Sequence, residues 1–388
     1  MRMSEWKEYQ LGDLLKIKYG KDHKKLGVGN IPVYGSGGIM RTGDAFLSDK
    51  PSVLIPRKGT LSNIFYVEEP FWTVDTMFWS EINDNIVIPK YLYYAIKDYK
   101  WDSLNVGSAV PSLTVPVIES VSVSIPSLET QQKITTQLSE IDEKIAINRR
   151  ICENLESQAQ ALFKHWFIDF APFKDGIFVE SEFGMIPDGF EIKRIKDLDL
   201  YITDYVSNGS FASLKENVTL YQKAEYALFI RNTDLKSGSF SVYVDKHSYD
   251  FLSKSALFGG EIIISNVGDV GSVFLCPDIN MPMTLGNNVI MLKSNNKCLQ
   301  LFLYIVFKWS YGKGLIKSIT GGSAQPKFNK SDFKSLKLVI PSDNHLELFH
   351  SVVNELFCKI ECLKKENLNL STLRDTLLPK LMSGQIKL

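Results

Sequence analysis

After Pro126 the hydrophobic pattern of the chain changes period. Apolar side chains fall at Ile134, Leu138, Ile141, Ile145, Cys152, Leu155, Ala159 and Leu162, with Asn148 keeping the register. Alternating steps of four and three, sustained for about four heptads, predict a long helix with one apolar seam. The seam returns 215 residues later at Phe349, Val353, Leu356, Ile360, Leu363, Asn367, Leu370, Arg374 and Leu377. Two such helices in one chain predict an antiparallel coiled coil, about 50 Å long if each helix runs for some 35 residues. Asn148 and Asn367 within the seam cost stability but fix its register.

Upstream of each seam the pattern is that of short strands. VLIP (53–56), NIFYV (63–67), EIIIS (261–265), SVFLC (272–276), SVSIP (122–126) and KLVIP (337–341) are β-branched or aromatic runs between Gly-rich turns. PKYLYYAIKDY (89–99) and LQLFLYIVFKW (299–309) predict one helix in each half. Thr114 and Asn329 are candidate N-caps of a further short helical turn, with Asp332 placed where acids favour a helix start. The expected fold is therefore mixed α/β (α+β), with two globular parts and two long helices.

The two halves are also alike in detail. A shift of 215 superposes Ser108-Ala109, Pro111, Ser120 and Ile125-Pro126 on Ser323-Ala324, Pro326, Ser335 and Ile340-Pro341, so that GSAVP (107–111) recurs as GSAQP (322–326). With small loop shifts, Val53-Leu54-Ile55, Gly59 and Phe65 match Ile262-Ile263-Ile264, Gly268 and Phe274. Tyr91-Leu92-Tyr93 likewise matches Phe302-Leu303-Tyr304, and the four aromatics Tyr91, Tyr93, Phe302 and Tyr304 are more fitting for a core than for stacking on bases. The chain reads as a tandem duplication with expected boundaries at 1–126 (globular), 127–170 (helix), 171–341 (linker and globular) and 342–388 (helix and tail).

Composition narrows the class. With 388 residues, 44% hydrophobic and 23% charged, each half can bury a core without disulfides. The aromatic-rich run 301–307 is too short to span a bilayer, and the N-terminus lacks the apolar core of a signal peptide. No membrane association is expected. Five cysteines without C-x-x-C spacing suit a reducing cytoplasm; Cys358 and Cys362 lack a histidine at ligand spacing, so no metal is expected. Net charge is zero, but nine lysines against Asp332 occupy 293–337, and five against Asp22 occupy 16–25. Patches of this kind hold phosphate backbones, or simply face solvent.

Catalytic signatures are missing. The chain has no Walker phosphate loop and no Pro-Pro for an amino-methyltransferase motif, and its five histidines are scattered. PDGFEIK (187–193) is a poor nuclease motif, because Asp188 and Glu191 stand only three apart and the matching first-half segment is SEWKEY. A duplicated domain on a rigid spacer, with basic patches and no catalytic set, points to bipartite recognition. Duplex DNA suits it, since paired readers engage half-sites about 34 Å apart. Two other classes stay open: a coiled-coil adaptor with two protein-interaction domains and no DNA role, and an enzyme of unrecognised type.

The order of GSAxP, IP and long helix, with ALFKHWFIDFAPF (161–173), FGMIPDGFEIKRIKDL (183–198) and LLPKLMSGQIKL (377–388), resembles the type I restriction-modification specificity subunit family, HsdS. The resemblance covers essentially the full chain. It implies two target recognition domains that each bind one half of a split DNA sequence, with paired helices setting the spacing. It also implies two modification (methyltransferase) subunits docked on those helices, to which ATP-dependent restriction subunits add. Catalysis and its cofactors would belong to those partners; none is expected here. On this reading the candidate DNA contacts are Lys16, Lys18, Lys21, Lys24, Lys25, Tyr34, Arg41, Arg57 and Lys58 in the first half. In the second they are Arg231, Asn232, Asn266, Lys313, Lys317 and Gln325. The first 126 residues depart from expectation in being neutral, with fourteen basic and fourteen acidic side chains.

Overall fold

A pair of two-stranded clasps organises the two halves. Lys7–Gln10 pairs antiparallel with Ser122–Ile125, and Glu191–Arg194 with Lys337–Ile340, so each globular part starts and ends at one place. In both, a proline ends the closing strand, where it removes a ladder donor. The long helices Leu128–Phe167 and Asp343–Met382 follow. The computed structural model describes residues 6–322 and 325–386; Ser323 and Ala324 of the second GSAxP copy lie outside the described residues.

Two units make up the chain. The first is built from the chain up to Arg150 and from Leu363 onward, and the second from Ile151 to Cys362. Each unit therefore takes one part of both long helices.

In the first unit, four antiparallel strands run in the order Leu15–Tyr19, Met77–Ile82, Ser52–Pro56, Phe65–Val67. The second unit repeats this order with Tyr201–Asp204, Val289–Lys293, Ile262–Ser265 and Val273–Leu275. A mixed sheet accompanies each: Ile31–Gly35 runs parallel to Trp72–Thr73, as Ala227–Ile230 does to Met283–Leu285. The duplication legible in the sequence is thus a duplication of topology. The second mixed sheet is larger, five strands against three.

Both expected helices form. Pro89–Ile96 starts on a proline, whose missing N–H costs nothing at a helix start. Lys297–Lys308 is capped by Asn296, whose side chain accepts from the Cys298 and Leu299 amides. Tyr91, Phe302 and Tyr304 are buried in the core, while Tyr93 is half-buried and stacks on Tyr66. Thr114 and Asn329 both occupy N-cap positions. Only Asn329 makes the capping bond, to the Asp332 amide at 2.8 Å.

The long helices bury most of the expected seam. Ile134, Leu138, Ile145, Asn148, Phe349, Val353, Ile360 and Leu363 are buried, whereas Ile141, Leu155, Leu162, Leu356, Asn367, Leu370 and Leu377 are half-buried. Toward the C-terminal ends of both helices burial moves on by one position, to Phe163 beside Leu162 and Leu378 beside Leu377. A straight α-helix drifts by about 20° per heptad, so the buried stripe leaves a strict seven-residue seam. Among the described residues no helix is long and apolar enough to cross a membrane.

Candidate functional site

Each globular part carries a rim where the end of a strand meets the GSAxP loop, and the two rims share their hydrogen bonds. Gly59 N donates to Pro111 O at 3.0 Å; Gly268 N donates to Pro326 O at 2.9 Å. Leu113 N donates to Arg57 O, as Phe328 N does to Asn266 O, at 3.0 and 3.1 Å. Gly59 and Gly268 both have positive φ (98° and 77°), a backbone region that favours glycine. The first glycine of each pentapeptide is required by crowding, and Gly322 by its positive φ (90°) as well. A Cβ on Gly107 would stand 2.1 Å from Val110 O, and one on Gly322 2.5 Å from Gln325 O. GSAxP is therefore the clamp that closes the rim.

In the first unit the rim brings together residues from three segments. Lys21, Lys24, Lys25 and Lys58 are exposed, as is Lys16, while Lys18 is held by Glu81 at 3.1 Å. Arg57 donates from Nη1 to Asp75 O at 3.2 Å and lies over the Tyr19 ring, 5.5 Å from its centroid. Arg41 and Tyr34 are engaged elsewhere. The Arg41 guanidinium donates to the carbonyls of Leu26, Gly27 and Thr42, holding its own loop. Tyr34 packs on Phe65 at 5.8 Å, and burial pushes its hydroxyl above the ordinary tyrosine range.

In the second unit Lys313 and Lys317 stand one turn apart on the helix Ser310–Ser318, both exposed. That helix follows its predecessor closely because Gly312 lacks a Cβ, which would meet Val306 O at 2.2 Å. With the loop 268–272, Ile316, Thr320 and Pro326, the two lysines line a groove of about 470 Å³. Asp269 sits on that loop and accepts from Ser272 Oγ at 2.6 Å, Lys236 Nζ at 2.7 Å and Asn232 Nδ2 at 3.2 Å. Burial raises the Asp269 carboxyl, but these donors outweigh it and hold the group below the usual carboxylate range. Gln325 is exposed beside the groove. Asn266 is turned inward: its Nδ2 donates to Phe328 O at 3.3 Å, and its Oδ1 is buried without a partner. Arg231 forms a fork on Asp234 at 2.9 and 2.7 Å.

Lys236 and Tyr19 were missed by the sequence reading. Nothing local marks them, since their partners lie 33 and 38 residues away in the chain. The lysine count over 293–337 also overstates the free charge, because Lys293, Lys330 and Lys337 are tied to Glu261, Asp204 and Glu182. Among the described residues no group of three or more His, Cys, Asp or Glu is placed to hold a metal ion.

The helix pair differs between the units. In the first, Arg374 Nη1 donates to Asp142 Oδ1 at 2.8 Å, and Tyr94 Oη donates to Asp142 Oδ2 at 2.6 Å. A second polar layer follows, with Asn148 Nδ2 donating to Asn367 Oδ1 at 2.9 Å and Glu366 Oε2 at 2.8 Å. Rising numbers on one helix meet falling numbers on the other, so the pair is antiparallel. In the second unit the same two helices meet through Cys152 and Ile360, then through Phe163, Phe167 and Phe349. A shift of 215 turns Asp142 and Arg374 into Phe357 and Ala159, and Asn148 and Asn367 into Leu363 and Cys152. All four of these equivalents are buried.

Comparison with known proteins fits this duplicated plan. The family model described as "Type I restriction modification DNA specificity domain" matches residues 3–157 and 187–366. The chain is 30% identical over 356 residues to the type I restriction enzyme MjaIX specificity subunit of Methanocaldococcus jannaschii, covering 87% of this chain and 78% of that one. It is 24% identical over 473 residues to the HindI specificity subunit of Haemophilus influenzae, covering 99% and 100%. Its fold is similar to the crystal structure of the type I restriction-modification S subunit from M. genitalium, with a TM-score of 0.54, 17% identity and 98% of both chains covered.

Proposed function

Because this chain belongs to the family of type I restriction-modification specificity subunits, we propose that its two halves each read one half of a split DNA target. The recognition domains are 1–126 and 171–341, and the helices of 127–170 and 342–388 set the distance between half-sites. The same helices dock two modification subunits, restriction subunits join the complex, and the chain itself performs no chemistry. It acts in the cytoplasm on duplex DNA. The observation that carries this reading is the doubled rim: two strand ends, clamped by the same hydrogen bonds, each with exposed lysines or a lysine-lined groove beside it. Lysines position phosphates, while the rim residues between them meet base edges.

The test is co-expression with the modification subunit of its own system, followed by mapping of methylated adenines. A two-part motif with one fixed gap is expected; a single continuous motif would sink the reading. Inserting seven residues into both long helices, after Arg150 and after Lys365, where the antiparallel pairing brings positions 215 apart level with each other, lengthens each by about 10 Å. The gap should then grow by about three base pairs, at 3.4 Å each, with both half-sites unchanged. Lys313→Ala with Lys317→Ala removes two phosphate contacts. The slope of log affinity against log salt should become shallower by about 1.8, with sequence preference intact. Binding without salt dependence would favour a protein-interaction adaptor instead.

A further inference from the structure

We propose that Arg57 is a base-reading residue of the first unit, donating to a guanine edge in the half-site that this unit serves. The proposal rests on the DNA-recognition reading above and names a determinant within it. Among the described residues, the globular parts hold four arginines: 41, 57, 194 and 231. The other three are each held by a carboxylate or by several carbonyls of the protein. Arg41 holds loop carbonyls, Arg194 is paired with Asp197, and Arg231 forks onto Asp234. Arg57 has no carboxylate partner among the described residues; its only side-chain hydrogen bond there is from Nη1 to Asp75 O.

Arg57 is also held in place more firmly than a solvated surface arginine. Its amide donates to Thr76 O at 2.8 Å and its carbonyl accepts from Leu113 N at 3.0 Å, which pins the backbone on both sides. The guanidinium then lies over Tyr19, whose own ring is braced edge-on against Phe78 at 5.1 Å. One carbonyl and one aromatic face orient the plane and leave Nε and Nη2 unengaged. A planar fork with a free edge matches O6 and N7 of guanine, the commonest specific contact in the major groove. A phosphate needs no such orientation and is served as well by a flexible lysine. Lys58, the exposed residue that follows Arg57 in the chain, supplies that contact.

The second unit sharpens the assignment. Asn266 occupies the equivalent backbone site, with the equivalent carbonyl bond from Phe328, yet its amide is turned inward. The two units thus present different side chains from one scaffold position. The guanine read by Arg57 should have no counterpart read from Asn266.

The experiment uses the full chain with its modification subunit, comparing wild type, Arg57→Lys and Arg57→Gln. Methylation is mapped over a randomised target library, and binding is measured at several salt concentrations. Arg57→Lys keeps the charge but loses the fork. It should lower discrimination for guanine at one position of one half-site by roughly tenfold to a hundredfold. The other half-site, the gap and the salt slope should stay as in wild type. If Arg57→Lys keeps the full preference while Arg57→Gln weakens all sequences alike with a shallower salt slope, Arg57 is a phosphate contact and the proposal is overturned. A change in both half-sites, or in neither, also overturns it. A wild-type complex with no two-part target would fail the recognition reading itself, which the variants alone cannot do. Equal thermal midpoints for the three proteins exclude misfolding as the cause.

Discussion

Phe349→Ala is expected to destabilise the second unit by about 3–5 kcal/mol, the range for deleting a buried phenyl ring. Phe349 is 1% exposed. Its ring meets Phe167 at 4.7 Å, Trp166 at 5.7 Å and Phe163 at 6.4 Å. Those three belong to the first long helix, and Phe163 and Phe167 also touch Phe302 of the globular part. One truncation therefore opens a cavity where both helices meet the globular core. For a unit of this size the melting midpoint should fall by about 10 °C, measured by circular dichroism. Phe349→Leu should cost much less, since it keeps most of the volume. A loss below about 1 kcal/mol for the alanine variant would mean that the site collapses or that the cluster is not closed.

The second large effect concerns the charged layer of the first unit. Arg374→Met leaves the half-buried Asp142 carboxylate with only the Tyr94 hydroxyl. Removing one partner of a fully buried pair costs about 3 kcal/mol or more, and the partial exposure of this one lowers the expected loss to about 1–3 kcal/mol. The reverse change, Asp142→Ala, should cost less, because Arg374 keeps Asp375 at 2.9 Å. The triple variant Tyr94→Phe, Asp142→Phe, Arg374→Ala writes into the long helices the residues that the second unit has at the equivalent positions, Phe357 and Ala159, and removes the Tyr94 hydroxyl that would otherwise lose its acceptor. It should recover most of the loss, since well-packed apolar residues replace buried ion pairs at little or no cost. Chemical denaturation of the four proteins checks the order. Equal losses for the two single variants, or a triple variant no more stable than Arg374→Met, would show that the layer is not a coupled network.

Much of the architecture could be read in advance, because it follows from local periodicity. The heptad seam, the β-branched runs and the 215-residue shift are patterns among neighbours or copies, and they place the helices 128–167 and 343–382, two strands of each four-stranded sheet and the closing strand of each clasp. Where burial departs from the seam, as from Leu162 to Phe163 and from Leu377 to Leu378, the cause is helical geometry that a strict heptad ignores. Asn148 and Asn367 were legible as polar seam positions. Their bond to one another, and the Tyr94 hydroxyl on Asp142, were not.

The amino-acid order by itself determined the duplication, the succession of elements, the glycines and prolines of the GSAxP clamp, and the family to which the chain belongs. Tertiary structure alone decided which charges remain available. Lys18, Lys293 and Lys330 find carboxylates 63, 32 and 126 residues away, while Lys313 and Lys317 find none among the described residues. Arg41 closes a loop, while Arg57 lies over Tyr19 with one carbonyl bond and no carboxylate partner among the described residues, although both are single arginines among glycines and β-residues. The physical reason is one of range. Backbone sterics and side-chain period act over a few residues and are written locally, whereas a long side chain is engaged or left free by whatever the folded sheets bring within about 4 Å of it.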